Sequence, residues 1–130
     1  MAKRQILSLG QCAADHASIR WLMQGEFGAE VVTACTYDDA LAKLRQGNFA
    51  LVLVNRILDY DGQPGLGFID RLKEDAALRS LPVMLVSNYA DAQAEAVAHG
   101  ALPGFGKSGL EQPATLARLR AVLEESSTAT

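Results

Sequence analysis

The stretch Phe49–Lys73, FALVLVNRILDYDGQPGLGFIDRLK, decides the fold. Its first six residues, Phe49 to Val54, are apolar without interruption, the pattern of a strand buried on both faces rather than one with a solvated side. Asn55 stands at the strand's exit, an acidic Gly-containing loop follows, and from Gly65 the apolar residues Phe68, Ile69 and Leu72 recur at helical spacing. Strand, loop and helix make one half of a parallel βαβ unit. In such units functional groups gather where the strands end, so an amide at position 55 calls for an explanation.

The same alternation continues in both directions. Apolar runs at Gln5–Leu9, Glu30–Ala34 and Pro82–Val86 read as strands, and a weaker fifth is expected around Gly104–Gly106, where two glycines flank Phe105. Between them lie helical stripes: Ile19, Leu22 and Met23; Ala40, Leu41 and Leu44; Ala96 and Val97; Leu116, Leu119 and Leu123. Asp15, Asp38 and Asp91 are expected to cap helix starts, Pro113 suits a first helical position, and Gly47 and Gly100 suit helix ends. Five strands alternating with five helices specify a doubly wound α/β sandwich with a parallel sheet between two helical layers.

Composition sets the class. A 130-residue chain that is 49% hydrophobic can bury the core of one domain without disulfides or metals; residues 1–125 are expected to form it, with 126–130 as a flexible tail. Twelve basic and 15 acidic residues, spread along the chain for a net charge of −3, give no single-sign block of the kind that nucleic acid recognises. No apolar run reaches membrane-spanning length, the N-terminus lacks a signal-peptide core, and only Cys12 and Cys35 are present, in no metal-ligand spacing. A cytoplasmic protein with two free thiols is expected.

With the strand ends placed, the sequence resembles the receiver domain of two-component response regulators over essentially its whole length. FALVLVN matches the third strand, LPVMLVSNYADAQAEAVAHGA the fourth strand and helix, and GFGKS the fifth strand with its lysine. The resemblance implies a flavodoxin-like sheet of order 2-1-3-4-5. It further implies an acidic pair after the first strand that holds Mg²⁺, a phosphoryl-accepting aspartate after the third, a Ser or Thr after the fourth and a Lys after the fifth. Carried over, the acidic pair falls on Gly10 and Gln11, the acceptor on Asn55, the hydroxyl on Ser87 and the lysine on Lys107; the switch aromatic falls on Gly104, with Phe105 one residue later.

These departures have chemical consequences. An acyl phosphate needs an attacking carboxylate oxygen, which an amide does not supply, and Mg²⁺ needs a carboxylate-anchored oxygen shell where three neutral residues now stand. The expectation is therefore a non-enzymatic, stand-alone receiver with no cofactor and at most very weak Mg²⁺ binding, locked in one conformation and working through a protein partner. In its pocket the Asn55 carbonyl is expected to accept from Lys107, while the Asn55 and Gln11 amides bond backbone or Ser87. Arg56 either reaches Asp59 or Asp61, or joins Lys107 as an anion cup. Other readings are a phosphoryl acceptor displaced to Asp59 or Asp61, a Cys12–Cys35 redox pair, and a weak homodimer through the Ala-rich fourth helix and its neighbours. Trp21 is expected as a covered rim residue of the first helix, with a partner-binding anchor as the other reading, and His16 and His99 have no partners that would make them catalysts.

Overall fold

The structure, a computed structural model, describes residues 4–128. Five strands, β1 (Gln5–Leu9), β2 (Glu30–Ala34), β3 (Phe49–Asn55), β4 (Val83–Val86) and β5 (Leu102–Phe105), alternate with α1 (Ala13–Phe27), α2 (Tyr37–Gln46), α3 (Gly65–Glu74), α4 (Ala90–Ala98) and α5 (Pro113–Thr128). All strand pairs are parallel, in the order β2-β1-β3-β4-β5. The expected fold class is thus observed. The fifth strand begins earlier than expected and ends at Phe105, and α5 runs past Ser126, where a tail was expected; residues 129–130 of that tail lie outside the described residues.

Each face of the sheet has its own core, because successive side chains of a strand point to opposite faces. Leu7, Leu9, Val52, Val54 and Leu85 pack with α2, α3 and Ala96 of α4 on one face. Ile6, Leu51, Leu53, Met84 and Phe105 pack with Ile19, Leu22 and Met23 of α1 and Leu119 and Leu123 of α5 on the other. Burial on both faces explains the unbroken apolar reading of β3.

Helix starts differ from expectation. The residues at the N-caps of α1, α2 and α4 are Cys12, Thr36 and Tyr89, and only Thr36 makes a side-chain cap, its hydroxyl accepting from the Asp39 N–H at 3.1 Å. Asp15, Asp38 and Asp91 sit inside the first turns instead, where a negative charge still favours the N-terminal end of the helix dipole.

Candidate functional site

Strand register sets the site's level. Leu9 pairs with Val54, Asn55 with Val86, and Val86 with Phe105, so Gly10, Asn55, Ser87 and Lys107 arrive together at one edge of the sheet. A pocket of about 320 Å³ opens there, lined by Asn55, Arg56, Ile57, Val86, Ser87, Asn88, Tyr89 and Lys107.

Asn55 is tied down: its amide bonds backbone, as expected, but its carbonyl does not accept from Lys107. Its Nδ2 donates to the Gly10 carbonyl at 3.1 Å and to the Ile57 carbonyl at 2.8 Å, and its Oδ1 accepts from the Arg56 N–H at 3.1 Å. Two carbonyls require a donor and one N–H requires an acceptor, so the partners fix the orientation of the amide. Lys107 turns away from it and pairs with Asp15 Oδ2 at 2.6 Å. Asp15 lies in the first turn of α1 and also accepts from the Cys12 thiol at 3.2 Å. The Lys107 hydrogen bond outweighs partial burial and holds the Asp15 carboxyl below its ordinary value. The lysine therefore has a carboxylate, supplied from a position outside the expected acidic pair.

Other expectations are corrected as well. The Gln11 amide bonds neither backbone nor Ser87: its Nε2 and Oε1 are buried without a partner among the described residues. Ser87 uses its Oγ to accept from the Tyr89 N–H at 3.1 Å, holding the turn into α4. Arg56 forms no ion pair with Asp59 or Asp61; its guanidinium lies 5.0 Å from the centre of the Tyr89 ring. Asp61 accepts from the Gln63 N–H at 3.1 Å, a local turn contact. Trp21 is 69% exposed, so it is an open surface residue rather than a covered rim one. His16 Nε2 accepts from Arg20, and burial first, with the Arg20 charge second, lowers its pKa. His99 is engaged by Asp70 at 2.7 Å. Cys12 is half-buried and Cys35 exposed, both as free thiols.

The residues at the ends of β1 and β3 do not fit the Mg²⁺ that the resemblance implies. No carboxylate stands at position 10, 11 or 55, and the Asn55 atom facing Gly10 is a hydrogen-bond donor. A side chain at position 10 would also lack room: a Cβ there would meet Leu58 Cγ at 2.5 Å and Leu58 Cα at 2.9 Å, and Gly10 has φ 79°, a left-handed conformation that favours glycine. Among the described residues no group of three or more His, Cys, Asp or Glu gathers as a metal site.

One polar residue that fastens the site's surroundings was missed in the sequence. Gln93 reaches in from α4, where the parallel register between β4 and β5 shifts between Met84 and Val86. Its Nε2 donates to Leu85 O at 2.8 Å and lies 3.2 Å from Ser87 O, while its Oε1 accepts from the Gly104 N–H at 3.0 Å. A Cβ at Gly104 would collide with the Leu85 carbonyl and approach Gln93. Position 104 thus has no side chain to rotate, and Phe105, 3% exposed, is packed into the α1/α5 core.

A five-stranded parallel sheet of this order, with its polar strand ends gathered at one edge, is shared with known structures. The chain has the fold of a response-regulator receiver. It is similar to a protein described as a response regulator from Chloroflexus aurantiacus J-10-fl, with 17% identity, a TM-score of 0.82 and coverage of 95% of this chain and 99% of that one. The Vibrio cholerae chemotaxis protein CheY4 matches with 19% identity, a TM-score of 0.70 and coverage of 96% and 99%. The receiver domain of NtrX from Brucella abortus matches with 27% identity, a TM-score of 0.65 and coverage of 96% and 99%. No protein-family model and no curated protein sequence matches the chain. Among the described residues no helix is long and apolar enough to cross a membrane.

Proposed function

We propose that the chain acts in two-component signal transduction as an atypical receiver that works through contacts with a protein partner in the cytoplasm, without enzymatic activity and without aspartyl phosphorylation at position 55. The receiver fold supports the signalling role, and the Asn55 amide carries the atypical mechanism. Phosphoryl transfer to this site needs a carboxylate oxygen free to attack and a cation to balance the charge on the incoming group. Here the acceptor position holds an amide whose nitrogen is committed to Gly10 and Ile57 and whose oxygen is committed to Arg56. Lys107, the pocket's cation in the receiver resemblance, is already paired with Asp15.

The test is labelling with a small-molecule phosphodonor and Mg²⁺ followed by peptide mapping. No phosphoryl group is expected on the segment Phe49–Lys73. Label on Asp59 or Asp61 would replace this reading with that of a receiver with a displaced acceptor.

A further inference from the structure

In the resemblance, a cation joins the loop after the first strand to the loop after the third. Here the same two loops are joined by the chain's own atoms. The single Asn55 NH₂ group serves one carbonyl on each loop, Gly10 O and Ile57 O, and the Asp59 N–H adds a second bond to Gly10 O at 3.0 Å. Between these bonds Leu58 is 1% exposed and lies over the Gly10 Cα, in the space that a side chain at position 10 would need. The loop is closed on itself by Leu58 N–H to Gln63 O at 2.8 Å and Gly62 N–H to Leu58 O at 2.9 Å. Its far end is held by the Tyr37 hydroxyl donating to the Pro64 carbonyl. A cation entering between Gly10 and Asn55 would have to lift an apolar side chain out of the core and break these bonds.

We propose that the Asn55 carboxamide and Leu58 together stand in for the cation, the amide joining the two loops and the leucine filling the space, so that the pocket stays closed to divalent metal even when a carboxylate is restored at position 55. This rests on the reading that position 55 takes no phosphoryl group, and adds what took the metal's structural place.

Hydrogen exchange followed by NMR tests it. In the unmodified protein the Asn55 Nδ2 protons are expected to exchange at least about tenfold more slowly than those of the exposed Asn48, and the Asp59 N–H to be protected, with neither changed by millimolar Mg²⁺. In both Asn55→Ala and Asn55→Asp the Asp59 N–H is expected to exchange about tenfold faster or more, and Mg²⁺ is expected to restore protection in neither. Unprotected Asn55 protons in the unmodified protein, undiminished Asp59 protection in the variants, or recovery of Asn55→Asp with Mg²⁺ would each overturn the proposal. Should the variants not fold, the measurement on the unmodified protein still decides whether the amide joins the loops and whether they answer to Mg²⁺. Phosphoryl label on Asp59 or Asp61 would end the functional reading without touching these rates, and metal-dependent protection would do the reverse.

Discussion

Lys107 shows how a single charge pair is rebuilt when its usual partners are gone. A lysine at the end of β5 with no carboxylate in reach would repel nearby donors and gain little from the pocket; the Asp15 carboxylate, on the facing turn of α1, resolves this at 2.6 Å. Because the Asp15 pKa is lowered in the fold, the pair stabilises the folded state fully above the carboxyl's ordinary value of 3.8, and that contribution is lost as pH falls through the lower folded value. The urea midpoints of the parent and Asp15→Asn are therefore expected to differ most near neutral pH and to converge in acid below the ordinary carboxyl range. A difference that persists unchanged into acid would show that the pair contributes nothing through ionisation. The sequence displayed both residues, but not their meeting. Asp15 was legible as a helix-start residue, and only the approach of α1 to the Lys107–Gly109 turn makes it a counter-ion.

At the scale of elements, Gln93 decides how α4 is attached. The helix buries only Ala96 among its own residues, so its apolar contribution is small, and the Gln93 amide supplies a polar fastening into the break between β4 and β5. Gln93→Ala leaves the Gly104 N–H and the Leu85 carbonyl without their Gln93 partner. A loss of about 1–3 kcal/mol in chemical denaturation is expected, with the Gly104 and Ala92–Val97 amides losing protection first. Gln93→Glu, which keeps the acceptor but not the donor, is expected to fall on the destabilised side too. The elements themselves were legible because two-sided burial writes uninterrupted apolar runs such as Phe49–Val54 and one-sided burial writes stripes such as Phe68, Ile69 and Leu72. Gln93 was not, because a polar residue in an Ala-rich helix reads as a solvated one; only the register shift of the neighbouring strands reveals the gap it fills. Helix caps were misread for a related reason: Asp is equally suited to a cap and to the first turn, and the backbone chose the latter at positions 15, 38 and 91.

At the scale of the molecule, the pocket and the α4/β5 face are separately fastened. The amide of Asn55 holds the first, and Gln93, the bare Gly104 and the core-packed Phe105 hold the second. A ligand moves a two-state equilibrium only by binding one state better than the other, and positions 10, 11 and 55 hold no carboxylate to supply that difference. Addition of a phosphodonor with Mg²⁺ is accordingly expected to leave the amide resonances of Gln93, Gly104 and Phe105 in place, and displacement of these three together would show a working switch. The sheet order and the level of the strand ends were legible in full from the alternation of elements and the resemblance, whereas the direction in which each polar side chain turns at that level depends on contacts across four different loops.

The fastening of Asn55 to its neighbours also bears on how such a molecule carries information. On the proposed reading the domain is not charged and discharged, so it has no memory of a stimulus and no lifetime of an active form. What would remain variable is its copy number: its effect on a partner would follow synthesis and degradation, as a titrant's does, with the time constant of protein turnover rather than of hydrolysis.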